Sequence, residues 1–218
     1  MSDQGPVVRI VDDDRAYLVA TARLLRAAGY RVETFSSGAE LLEKLPADAT
    51  GCVLLDVRMP GIDGLELQKA LARSAAPLPV VFVSGHGDVP IAARAFRHGA
   101  EDFLTKLATK EELFEAVERA LARGARERAE RERRRSARAL LDTLTRRERE
   151  VLAWVLQGRL NKQIAGRLDL HERTVKLHRT AITRKLGLSS VAELTRWAEE
   201  NGLLPDLDRL AKPRPKGQ

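Results

Sequence analysis

Short apolar runs alternate with amphipathic stretches along the first 122 residues of the chain. Val7–Val11, Arg31–Phe35, Cys52–Asp56, Val80–Ser84 and Asp102–Leu104 have the length and spacing of strands. Between them, Arg15–Ala28, Ala39–Leu45, Leu65–Ala72, Val89–His98 and the stretch from Glu111 onward carry apolar positions at helical spacing. Strands alternating with helices predict an α/β domain over residues 1–122, a doubly wound five-stranded parallel sheet. Ser37/Glu40, Asp63/Glu66 and Thr109/Glu112 have the spacing that caps the free N–H groups of a first helical turn. Gly29 and Gly99 fall where a helix ends in a left-handed residue.

The pattern then changes. Residues 123–139 (RGARERAERERRRSARA) offer no apolar stripe wider than alanine, yet all except Gly124 and Ser136 favour helix. A charged helical linker that continues the fifth helix is expected there, rather than a nucleic-acid-binding arm. Residues 140–204 predict an all-α domain of four short helices, with caps at Thr145/Glu148 and Ser190/Glu193. Gly158, Gly187 and the Asn201–Gly202 pair punctuate it. From Pro205 to residue 218 three prolines and little apolar content predict a frayed or disordered tail.

Charge sharpens this division. Residues 1–122 hold 14 Lys and Arg against 18 Asp and Glu, and residues 123–218 hold 24 against 13, for a net charge of +7. An acidic half joined to a strongly basic half points to nucleic acid as the partner of the second. The lone Cys52 forms no internal disulfide and reads as a small buried hydrophobe rather than a catalytic thiol. With no apolar run of about 18 residues and no signal pattern at the N-terminus, a cytoplasmic protein without a membrane partner is expected.

Ligands of open parallel sheets gather at the carboxyl ends of the strands. Here Asp12, Asp13 and Asp14 follow the first strand, Asp56 and Ser84 end the third and fourth, and Lys106 lies just past the fifth. Such oxygen ligands suit a hard cation, Mg²⁺ or Mn²⁺. A carboxylate can also be the nucleophile toward phosphorus, with a metal and a lysine offsetting charge on the transferring group. A run of three aspartates is also a common turn and cap. Asp14, directly before a helix, fits that plainer role, whereas burying Asp12, Asp13 and Asp56 without a cation would be costly.

The segments IVDDD, LLDVRMPGIDG, FVSGHGDVP and FLTK, in that order and at those intervals, resemble the flavodoxin-like receiver domain of two-component response regulators. GHGDVP resembles the FixJ branch of the NarL/FixJ family. The resemblance implies that Asp56 is the phosphoacceptor and a histidine kinase the donor. It implies Mg²⁺ on Asp13, Asp56 and the backbone carbonyl of Arg58, with Asp12 acting mainly through water. Lys106 would pair with the phosphoryl group, while Ser84 and Phe103 would re-pack on activation. By themselves Ser84 and Phe103 read as a strand-end hydroxyl and a core aromatic. The chain departs from the family in one place: Leu107 follows Lys106 where a proline in a cis bond is usual. A cis bond before a non-proline residue costs about 2.5–4 kcal/mol, so a trans Lys106–Leu107 bond and a rearranged loop are expected.

In the basic half, Asn161 can cap a helix whose Ile164, Ala165 and Leu168 face inward. A turn through Asp169–His171 leads to a second helix, about Glu172 to Leu186. At about 100° per residue, Val175, Ile182 and Leu186 share a core face, and Lys176, Leu177, Thr180 and Arg184 lie opposite. Cations with one leucine suit a DNA major groove, although such a stripe is also common on solvated helices. Lys162, Arg167, Arg173, Arg179 and Lys185 add positive charge around it. LTRREREVL, NKQIA, RTVKLHR and KLG resemble the LuxR-type helix-turn-helix domain. That resemblance implies base contacts from Lys176, Leu177 and Thr180, and phosphate contacts or packing for Lys162, Thr174 and His178. It implies a homodimer through the helix near Val191–Glu200, and promoter DNA and RNA polymerase as partners.

Together these features predict a phosphorylation-switched transcription factor, catalytic only toward its own phosphorylation and dephosphorylation. The rival readings are a DNA-binding regulator independent of phosphate, suggested by Leu107, a stand-alone receiver or RNA-binding antiterminator, and an aspartate-nucleophile phosphatase. The phosphatase class places a second acid two residues after its nucleophile, where this chain has Arg58.

Overall fold

A computed structural model describes residues 5–85 and 89–210. The chain separates into two compact units, Met1–Ala129 and Glu130–Gln218.

In the first unit β1 (Val7–Val11), β3 (Gly51–Asp56) and β4 (Val80–Ser84) form the middle of a parallel sheet. β2 (Arg31–Phe35) and β5 (Asp102–Thr105) form its edges, in the order β2-β1-β3-β4-β5. The central strands are apolar almost throughout because both faces are covered. Alternate residues divide the core. Ile10, Leu54, Val81 and Val83 pack with α1 (Arg15–Ala27) and the first turns of α5 (Lys110–Asp142). Val11, Val53, Leu55 and Phe82 pack under α2 (Gly38–Lys44), α3 (Gly64–Ala72) and α4 (Val89–Arg97). Strand order reverses beside β1, and the register pairs Val11 with Leu55. Asp12 and Asp56, the next residue in each chain direction, are therefore brought side by side.

Gly64 opens α3 against this edge. A Cβ there would lie 2.3 Å from the Asp56 carbonyl oxygen and 3.0 Å from the Phe82 ring, so only glycine allows the close approach.

The second unit contains α6 (Arg146–Leu156), α7 (Asn161–Leu168), α8 (Glu172–Leu186), α9 (Val191–Glu200) and α10 (Leu204–Leu210). Their core is Val151, Leu152, Val155, Ile164, Val175, Ile182, Leu186, Leu194 and Ala198. Three expectations need correction here. The tail does not begin at Pro205: α10 buries Leu207 to 1% exposure, and Pro205 sits in its first turn, where a missing N–H costs nothing. Residues 211–218 lie outside the described residues. The linker is also not wholly solvated, because Ala137 joins the core of this unit together with Leu141. Arg138 pairs with Asp206, and Arg133 donates to the Glu200 carbonyl at 3.0 Å, fastening the end of α5 to α9 and α10. Asn161 is the first helical residue of α7 rather than its cap. Leu160 precedes it, its N–H donating to Gln163 Oε1 at 3.0 Å.

Gly64→Ala is expected to destabilise the first unit by about 2–3 kcal/mol, since the added carbon meets backbone and cannot swing away. Unfolding followed through Tyr17 and Tyr30, both in this unit, measures the loss. An unchanged midpoint would refute the close-packing account.

Candidate functional site

Asp12 is 1% exposed and Asp56 6%, while Asp13 lies open to solvent. One carboxylate oxygen from each lies within 4.8 Å of the others. Asp14 stands apart as the cap of α1, its Oδ1 accepting the N–H groups of Ala16 and Tyr17. Its own N–H donates to Asp12 Oδ1 at 2.8 Å. Across the sheet edge Lys106 donates to the same Oδ1 at 2.9 Å, lies 2.7 Å from Asp12 Oδ2 and is 3.5 Å from Asp56 Oδ1. Asp56 Oδ2 accepts the Arg58 N–H at 3.2 Å.

Burial and the neighbouring Asp12 charge raise the pKa of Asp56, and Lys106 together with the Arg58 and Val57 N–H groups partly offsets this. Burial lowers the pKa of Lys106, but its hydrogen bond to Asp12 and the charges of Asp56 and Asp12 outweigh that and raise it. The site thus pairs three carboxylates with one ammonium. Asp12 Oδ2 is buried and accepts no hydrogen bond despite the nearby ammonium. A negative cluster with a spare buried lone pair fits a hard divalent cation.

Ser84 is buried at the end of β4, and Phe103 is half-buried with its ring 6.0 Å from that of Phe82. No peptide bond among the described residues is cis, so Lys106–Leu107 is trans as expected, and Leu107 is 91% exposed. Residues 86–88 of the GHGDVP segment lie outside the described residues. Sequence reasoning missed Tyr17, whose ring faces the Lys106 ammonium at 4.8 Å. Its position in the first turn of α1, beside the aspartate run, was the available signal.

In the second unit Lys176, Leu177, Thr180 and Arg184 are all exposed on one sector of α8, Leu177 to 64%. Val175, Ile182 and Leu186 anchor the opposite side. Lys162 is exposed in the first turn of α7, while Thr174 and His178 are half-buried at the margin of the exposed sector. Two basic residues expected around that surface are engaged within the unit. Arg179 donates to Asn161 Oδ1 at 3.2 Å. Lys185 donates to the buried Glu148 at 2.7 Å and to the Thr143 carbonyl at 3.2 Å. These contacts set α8 against α6 and α7. Charge alone could not separate such residues from solvent-facing ones. Asp169 ends α7 in the left-handed region (φ 52°) and turns the chain toward α8.

Burial pushes the Glu148 carboxyl up, yet the Lys185 ammonium and the Thr145 cap outweigh it and hold the group below its usual range. The folded state therefore favours the ionised form. The resulting stability is complete above the ordinary glutamate pKa and is lost as pH falls through the lowered value. Both tryptophans, Trp154 and Trp197, lie in this unit, so their emission reports its urea unfolding. Lys185→Met is expected to cost about 1–3 kcal/mol at neutral pH, and Glu148→Gln to flatten the loss of stability on the acid side. Identical pH profiles for the wild type and Glu148→Gln would remove the pair from the account.

Comparison with known proteins agrees with this division. Residues 8–118 match the response regulator receiver domain, and residues 142–198 match the bacterial regulatory proteins of the luxR family. The chain is 43% identical over 199 residues to the response regulator protein TodT of Pseudomonas putida, covering 91% of this chain and 88% of that protein. It is 35% identical over 206 residues to the transcriptional regulatory protein FixJ of Bradyrhizobium diazoefficiens, covering 94% of this chain and all of that protein. The solved structure of the response regulator StyR aligns with a TM-score of 0.79 at 41% identity, over 90% of this chain and all of that one.

Proposed function

Since this chain belongs to the response regulators, as a receiver domain followed by a LuxR-type DNA-binding domain, we propose that a phosphoryl group on Asp56 switches its activity as a transcription factor. The observation that carries this reading is the pair of buried carboxylates, Asp12 and Asp56, sharing the Lys106 ammonium at one sheet edge.

An Asp56 oxygen attacks the phosphorus of a phosphohistidine on a sensor kinase. The new O–P bond forms as the P–N bond breaks, and the departing imidazole takes its proton on the kinase side. Asp13, Asp56 and the Arg58 carbonyl would hold Mg²⁺, or Mn²⁺, with Asp12 behind them. That ion would supply positive charge to the phosphoryl oxygens. Lys106, now resting on Asp12 and near Asp56, would reach a phosphoryl oxygen. The Ser84 hydroxyl would follow, and Phe103 would re-pack beside Phe82. The α4–β5–α5 surface then changes and favours a homodimer, which presents two α8 helices to half-sites about one helical turn apart. Lys176, Leu177, Thr180 and Arg184 enter the major groove of promoter DNA, and the bound dimer acts on RNA polymerase, probing the genome inside the cytoplasm. The protein's own chemistry is limited to gaining and losing this phosphoryl group.

Phosphorylation of wild type and Asp56→Asn, followed by titration of operator DNA, tests the switch. Phosphorylated wild type should bind about 5- to 150-fold tighter, the span of typical coupling energies, and Asp56→Asn should show no gain. Equal affinity with and without phosphate would instead favour a phosphate-independent regulator. Turnover of a small phosphate ester would favour the phosphatase.

The two classes of DNA-facing residue should also separate on DNA. Thr180→Ala and Lys176→Ala are expected to relax the choice of base, by about 1–3 kcal/mol for each lost base contact. Lys162→Ala should weaken all sequences alike and lower the salt slope by about one ion. Binding curves at several salt concentrations on operator and scrambled DNA discriminate them. A uniform loss for all three variants would mean that α8 does not read bases.

A further inference from the structure

The Lys106 ammonium lies 4.8 Å from the centroid of the Tyr17 ring. We propose that Tyr17 is a positioning residue for Lys106, its ring holding the ammonium at the phosphoacceptor edge without occupying the ammonium's hydrogen-bond donors. The proposal rests on Asp56 being the phosphoacceptor.

A carboxylate holds a lysine by accepting its N–H groups, so each bond it takes is one of three donors that the lysine no longer offers to a phosphoryl oxygen. A π face attracts the cation through its quadrupole and takes no proton. It limits where the ammonium swings and leaves its donors available. Asp12 alone would draw the ammonium to one side, since both of its oxygens lie within 3 Å of Nζ while Asp56 is at 3.5 Å.

The ring is itself well placed. The Tyr17 N–H is held by Asp14 Oδ1 at 3.2 Å, and the Asp14 N–H is held by Asp12 Oδ1 at 2.8 Å. Asp12, Asp14, Tyr17 and Lys106 therefore close a circuit. On the other side the lysine has little support from its successor. Leu107 is 91% exposed among the described residues, and the backbone is tied by the Lys106 N–H to the Ser84 carbonyl at 2.8 Å.

Full-length protein phosphorylated by phosphoramidate with Mg²⁺ tests this, because so small a donor needs no docking surface on α1. Rates are measured against donor concentration. Tyr17→Leu, with Tyr17→Met in parallel should leucine impair folding, is expected to lower the maximal rate about three- to tenfold, the span of a partly desolvated cation–π contact. The half-saturating donor concentration and the thermal midpoint should hold. Tyr17→Phe keeps the π face and should restore the wild-type rate. In a Lys106→Gln background the leucine substitution should have no further effect. Equal losses for Phe and Leu, no loss for Leu, or a loss that persists without the lysine would each overturn the proposal while leaving Asp56 as acceptor. A wild type that takes no more phosphate than Asp56→Asn would overturn the parent reading and this one together.

Discussion

Two carboxylates are buried side by side at the ends of β1 and β3, and a single ammonium sits between them. Burying charge of one sign is expensive unless it is paired and hydrogen-bonded, so the first unit has to supply partners for this cluster. The parallel register that aligns Val11 with Leu55 creates the problem. The solution comes from the far edge, where short β5 ends at Thr105 and delivers Lys106. The Asp14 and Arg58 N–H groups supply what the lysine cannot. Gly64 lets α3 begin against the Asp56 carbonyl.

The second unit uses buried charge differently. Glu148 is capped by Thr145 and paired with Lys185, and this satisfied pair fixes α8 against α6. Because that pair and the Arg179–Asn161 contact settle the orientation of α8, its other face need contribute nothing to stability. Lys176, Leu177, Thr180 and Arg184 can then be left in solvent, where an exposed leucine has no folding role. One unit holds its charge deficit inside, ready to be answered by a ligand. The other resolves its deficit internally and presents cations outward.

Much of this was legible in the sequence, for reasons that differ by element. The central strands are apolar runs because both faces of a parallel sheet are covered, and their ends locate the aspartates without knowledge of packing. Val175, Ile182 and Leu186 fix the rotation of α8, and with it the exposed sector. The misses share a physical cause: each depends on a partner remote in sequence. Lys185 and Arg179 look like any surface cation until Glu148 and Asn161 are brought to them. Helix α10 has too few apolar residues to announce itself, and it forms because Leu207 finds a core built by other helices. Tyr17 has a meaning only once Lys106 arrives from 89 positions away.

Under the proposed function, the charge deficit would also govern how a phosphoryl switch is coupled. Lys106 cannot leave buried Asp12 for a phosphoryl oxygen unless another cation takes over the compensation of Asp12, since an unpaired carboxylate in that position would be costly. Under the proposed function, occupancy by a divalent ion and occupancy by a phosphoryl group would therefore be linked through the position of one ammonium, and linkage of this kind is reciprocal. A contact that attracts the ammonium without competing for its hydrogen bonds would lower the cost of that exchange. This is what an aromatic face can offer and a third carboxylate could not, because another anion would deepen the deficit that the lysine exists to offset.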